Sequence, residues 1–107
     1  MTNFISTGST YWISDEEIQI FEKNATNGDK NSAFKLYQYH MFVSLDQDSE
    51  FKWLEIAAKN GHPIAQSNLA DLFFTQGNKE KAIFWAKKAY RNGAKLPDEL
   101  KILININ

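Results

Sequence analysis

The 107-residue chain has no cysteine, two prolines and five glycines. Without cysteine there are no disulfides and no thiolate metal ligands, a composition that fits a reducing compartment. No apolar run approaches the roughly 20 residues that a membrane-spanning helix needs. The start, Met1-Thr-Asn-Phe-Ile-Ser-Thr-Gly8, carries neither a basic segment nor a sustained apolar one. The expectations are therefore a cytoplasmic protein with no membrane contact and no signal peptide. No phosphate loop, nucleophile elbow, metal-ligand cluster or dinucleotide fingerprint occurs, which predicts no cofactor, no bound metal and no enzymatic activity.

Hydrophobic residues make up 43% of the chain and aromatic ones 14%, a globular proportion with enough apolar material for one continuous core. A single domain over residues 1–107 follows from the length. The net charge of −1 conceals a division. Residues 1–58 hold nine acidic and four basic side chains, whereas 59–107 hold four acidic and eight basic. Such a dipole can orient a charged partner during encounter, although solvated helix surface is the ordinary use of these groups.

The scarce prolines and glycines mark helix ends. Ser14-Asp-Glu-Glu17 has capping-box spacing and starts helix one, with Ile13 and Ile18 placed as a hydrophobic staple and Ile18, Phe21 and Ala25 on one stripe. Asn27-Gly28 ends it. Helix two is predicted over Lys30–Phe42, with Ala33, Leu36, Tyr37, His40 and Met41 on its buried face, followed by a loop at Asp46–Asp48. Helix three covers Ser49–Asn60, helix four Pro63–Thr75 and helix five Lys79–Asn92. Asn60-Gly61 and then Pro63 form a tight stop and restart, because glycine takes the left-handed conformation freely and proline loses nothing in a first helical turn. Pro97-Asp-Glu-Leu100 starts a short last helix that frays into Lys101–Asn107. Phe4, Ile5, Tyr11, Trp12 and Ile13 are too apolar for water, so residues 1–13 are expected to cap helix one.

The Asn-Gly pairs at Gly28, Gly61 and Gly93 lie 33 and 32 residues apart, a period of helical repeat arrays. A shift of 33 sets Ser32, Leu36 and Tyr39 on Ala65, Leu69 and Leu72, and Ile20, Ala25 and Gly28 on Trp53, Ala58 and Gly61. A shift of 32 sets Trp53, Ala57 and Gly61 on Trp85, Ala89 and Gly93. Lys81-Ala82-Ile-Phe-Trp85, Trp53 with Ala57-Ala58 and Gly61, and Ala65-x-x-x-Leu69-x-x-Leu72 together resemble the Sel1-like repeat family, relatives of tetratricopeptide repeats. Residues 46–93 carry the match best, and a weaker one reaches back to Ser14. Leu72 stands where the family has tyrosine, and the usual glycine-rich loop is missing around Val43–Asp48. The resemblance implies an all-α fold, a short α-solenoid of antiparallel helical hairpins with five to six helices. Residues 14–93 would form the repeats and 94–107 a terminal helix and tail.

In such arrays the inner helices line a concave face. Helices two and four are the inner ones, and their non-core positions form two stripes in matching register: Asn31, Lys35, Gln38 and Phe42, and then Ile64, Asn68, Asp71 and Thr75. Polar side chains interleaved with single apolar ones suit a peptide or protein surface. The expected function is a non-enzymatic protein-interaction module, with a protein partner and a monomer by default. Small proteins with degenerate Sel1-like repeats resemble bacterial immunity proteins, which bind and neutralise a cognate toxin. An adaptor bridging proteins in signalling or assembly is the alternative, and an enzyme or nucleic-acid binder the remote one. His40 and His62, 22 residues apart, have no metal-ligand spacing and are expected to pack or cap. The lysines Lys79, Lys81, Lys87, Lys88 and Lys95, with Arg91, lack any base-stacking motif beside them, so no nucleic acid is expected.

Overall fold

A computed structural model describes residues 10–106. It is all-α, and no strand occurs among the described residues. The helices are α1 (Asp15–Thr26), α2 (Lys30–Tyr39), α3 (Gln47–Lys59), α4 (Pro63–Thr75), α5 (Lys79–Arg91) and α6 (Asp98–Leu103), with a π-helical segment at His40–Ser44. Each helix packs on its neighbour in sequence, and the α4–α5 and α2–α3 pairs are the most extensive. Residues 1–9, most of the expected N-terminal cap, lie outside the described residues, as does Asn107.

Local chemistry sets the helix starts. In α1 the Glu17 backbone N–H donates to Ser14 Oγ at 3.2 Å and the Ser14 N–H donates to Glu17 Oε1 at 3.1 Å, so the capping box closes in both directions. Asp29 accepts from the Asn31 N–H and the Ser32 hydroxyl, and Asp46 repeats the arrangement with Ser49. These bonds to the ionised form hold the Glu17, Asp29 and Asp46 carboxyls below the ordinary carboxylate range. His62 caps α4, its Nδ1 accepting the Ala65 N–H at 3.2 Å, with Pro63 directly after it.

The helix ends share one device. At Gly61, with φ +97°, the Gly61 N–H reaches Ala58 O and the His62 N–H reaches Ala57 O, the paired bonds of a Schellman stop. The same pair of bonds recurs after α1, α4 and α5. The connection after α2 departs from both this device and the sequence prediction. The α-helix ends at Tyr39, three residues early, and widens into the π turn, which stops at Leu45 with φ +59°. His40 Nδ1 and Ser44 Oγ meet at 2.7 Å within that turn. The predicted loop at Asp46–Asp48 is also corrected: Asp46 is a cap, and α3 begins at Gln47.

Two apolar clusters form the interior. The larger joins α1 to α5 through residues including Ala25, Leu36, Trp53, Ala58, Leu69 and Ala82, and the smaller joins α4 and α5 to Leu96 and Leu100. Each fully buried leucine contributes about 1.5–3 kcal/mol relative to exposure. The 33-residue shift pairs Leu36 with Leu69 and Ala25 with Ala58, all fully buried. It fails at Ile20, 58% exposed where its counterpart Trp53 is 3% exposed. Trp12, expected to dock, is 61% exposed, whereas Ile13 is buried.

One buried polar side chain ties three helices together. Gln66, 2% exposed, donates from Nε2 to Ala58 O at 3.0 Å and accepts at Oε1 from Asn92 Nδ2 at 2.9 Å. The first partner lies near the end of α3 and the second caps the end of α5. A single amide on α4 therefore fixes both outer helices that flank it.

Candidate functional site

Positions 64, 68, 71 and 75 recur at intervals of four, three and four along α4, so helical periodicity sets them on one face. Two open hollows lie along that face. The first, about 580 Å³, is bounded on α4 by Pro63, Ile64, Ser67 and Asn68, and beyond α5 by Gly93, Ala94, Lys95 and Pro97, with His62 at the corner. The second, about 440 Å³, is bounded by Asn68, Asp71, Leu72 and Thr75 of α4, by Tyr37 and Met41, and by Glu50 and Leu54 of α3. Asn68 borders both. The four residues expected on helix four thus line a continuous surface.

The hollows differ in charge. Lys95 is the one charged residue lining the first, and Glu50 and Asp71 are the charged residues lining the second. Thr75 donates its hydroxyl to Asp71 O at 2.8 Å, a local back-bond that leaves the Asp71 carboxylate exposed. Asn68 Nδ2 donates to Tyr37 Oη at 3.3 Å across the floor between α4 and α2. Burial pushes the Tyr37 phenol up, so it stays a neutral hydroxyl in the physiological range.

The expected stripe on helix two does not join this surface. Asn31, Lys35, Gln38 and Phe42 line neither hollow. Lys35 places its ammonium 5.9 Å from the Phe21 ring centroid on α1. Phe42 stacks on Tyr11 with ring centroids 4.5 Å apart, and Gln38 is half-buried. Tyr37 of α2 and Met41 of the π-helical segment line the hollow instead. Tyr37 was assigned to the core for its apolar ring. Its hydroxyl was the available signal, since a buried tyrosine needs a polar neighbour. Ser67, Glu50 and Leu54 carry no such signal in the sequence, and Lys95 stands there only among the basic side chains of the C-terminal half.

The two histidines are locally engaged. The His62 ring stacks on Phe34 with centroids 4.1 Å apart, and since Nδ1 accepts the cap bond the neutral ring carries its proton on Nε2. Burial pushes its pKa down, and Lys30 adds to the effect. Burial likewise lowers His40, opposed by Asp46, Glu22 and Glu50. No group of three or more histidine or carboxylate side chains is placed to hold a metal ion among the described residues. Lys81 and Lys88 lie over the rings of Phe73 and Phe84, at 5.2 and 5.5 Å from their centroids.

No protein-family model matches the chain. It is similar to Uncharacterized protein YibG of Escherichia coli (strain K12), with 33% identity over 95 residues. That alignment covers 82% of this chain and 62% of YibG, so the chain spans less than two thirds of the relative's length. No solved structure matches it. No helix among the described residues is long and apolar enough to cross a membrane.

Proposed function

We propose that the chain is a non-enzymatic protein-interaction module, a short array of Sel1-like helical hairpins whose α4 face receives a partner protein. The observation that carries this reading is the polarity of that face: one helix stripe runs from a hollow bearing a lysine to a hollow bearing two carboxylates, with apolar Ile64 exposed beside the first. A partner segment with charges in the opposite order would find complementary fields over the length of a few residues, which favours register and encounter rate. The repeated Schellman stops and the matched burial of Leu36 with Leu69 support the hairpin array. Within this class the narrower proposal is an immunity protein that neutralises a toxin. It rests on the resemblance of the Trp53–Leu72 pattern to degenerate Sel1-like repeats.

Affinity capture from the native host with the wild-type chain and Asp71→Lys tests the reading. A stoichiometric protein retained by the wild type and lost from the variant, with helicity and melting temperature unchanged, is the expected result. Equal retention by both chains would remove the binding face from α4. Co-expression of the captured protein then separates the roles: growth arrest relieved by this chain marks immunity, and a partner without toxicity marks an adaptor.

A further inference from the structure

The hollow at the start of α4 is a cluster of hydrogen-bond donors with apolar walls. Ser67 is 8% exposed, and its hydroxyl has no hydrogen-bond partner among the described residues. Thr26 and Thr75, the exposed last residues of α1 and α4, return their hydroxyls to the carbonyls of Glu22 and Asp71. No buried side-chain polar atom lacks a partner among the described residues, so the Ser67 hydroxyl is open to solvent, and the side chain borders the hollow. The first turn of α4, which borders the hollow, also carries a free backbone donor. Pro63 has no N–H, the Ala65 N–H is taken by His62 Nδ1 and the Gln66 N–H by His62 O. The Ile64 N–H is left at the positive end of a 13-residue helix. Lys95, an exposed cationic side chain, lines the opposite wall, and Ala94 and Pro97 make that wall otherwise apolar.

We propose that this hollow is a carboxylate-binding pocket that takes a carboxylate carried beside an apolar side chain of the partner protein. It rests on the reading of α4 as the binding face. A single lysine with neutral donors balances a monoanion, whereas a phosphate dianion is usually met by several cations or a forked guanidinium. The volume of about 580 Å³ holds a leucine-sized residue together with its carboxylate. Two sources have this chemistry: a chain's C-terminal residue, and an aspartate or glutamate next to an apolar neighbour.

Titration of the isotope-labelled full chain, followed by amide chemical shifts, tests the pocket without any partner. The probes are N-acetyl-leucine, N-acetyl-glutamyl methylamide, neutral N-acetyl-leucinamide and inorganic phosphate. A carboxylate probe is expected to give saturable shifts at Ile64, Gly93 and Lys95, with Kd of about 1–10 mM for so small a ligand, and the neutral amide none. The stronger of the two carboxylates identifies the source. Lys95→Met weakens binding about 5- to 10-fold and Ser67→Ala about 3-fold, with melting temperatures kept, since each removes a donor to a charged group. Lys87→Met, exposed on α5 and outside the hollow, leaves Kd unchanged. The pocket is refuted if neither carboxylate saturates, if leucinamide or phosphate binds as tightly as either carboxylate, or if Lys87→Met weakens binding as much as Lys95→Met. A null titration leaves the protein-binding role of α4 intact, and a failed capture leaves the pocket intact.

Discussion

Replacing Gln66 tests whether one amide holds α3, α4 and α5 in register. Gln66→Ala deletes four heavy atoms from a site that is 2% exposed and removes two hydrogen bonds, at 3.0 and 2.9 Å. Each bond is worth about 1 kcal/mol net, and the Ala58 carbonyl keeps its bond from the Gly61 N–H. With the residual cavity, the expected cost is about 2–4 kcal/mol. For a domain of this size that is a fall in melting temperature of about 10–20 °C. Asn92→Ala alone removes one bond at the more exposed end and costs about 1 kcal/mol. Because both variants lose the same Asn92–Gln66 bond, the double mutant is expected to fall short of additivity by about 1 kcal/mol. Urea unfolding, followed by circular dichroism and tryptophan fluorescence and fitted with one slope, gives the four free energies. Additivity within about 0.3 kcal/mol would refute the tie. So would a Gln66→Met variant as stable as the wild type, because that side chain keeps the volume and loses the bonds.

Trp53→Ala is expected to cost about 3–5 kcal/mol and Ile20→Ala, 33 residues earlier, under about 1 kcal/mol, since only the tryptophan is covered; equal costs in thermal melts would overturn the burial assignment. Leu45 holds φ +59° with its side chain 70% exposed, so Leu45→Asn or Leu45→Gly should raise stability by about 0.5–1 kcal/mol, and a lowered melting temperature would show that the elbow is not strained. Stability should also fall as pH drops from neutral. The folded-state pKa values of His62 and His40 lie below the ordinary 6.5, so between that value and the folded ones the unfolded chain binds more protons and is favoured. Melts at about pH 7.5 and about pH 5.5 check this, with His62→Asn, a non-titrating cap, expected to flatten part of the dependence. The loss deepens at still lower pH, as the carboxylates of Glu17, Asp29 and Asp46 are protonated.

The helix boundaries were legible where the chemistry is local. Ser14 with Glu17 fixes the start of α1, and Asn60-Gly61 with Pro63 fixes the turn into α4, whose limits match the prediction residue for residue. The elbow after α2 was not legible, since a wide turn through His40–Ser44 followed by a left-handed leucine has no glycine to announce it. Rotation about an axis was the harder quantity. Periodicity identifies the buried stripe of α2, with Ala33, Leu36 and Tyr37, but which edge of that stripe faces α4 depends on a third helix. Gln66 stands three, four and seven residues before Leu69, Ala70 and Phe73, on their own buried face. A polar residue there is either excluded or paired, and here it is paired.

Asn68 stands in the wall between two hollows of opposite charge, and that position makes their occupants thermodynamically dependent on each other. From Ile64 to Asp71 is seven residues of helix, about 10 Å along the axis. An anion held near Lys95 and a cation held near Asp71 would attract across that distance by about 0.4–1.7 kcal/mol, depending on the effective dielectric. Filling one hollow then tightens the other by about 2-fold or more, and the factor is the same in either direction. A ligand carrying both charges on one chain gains further, because its second contact forms at the effective concentration set by the first.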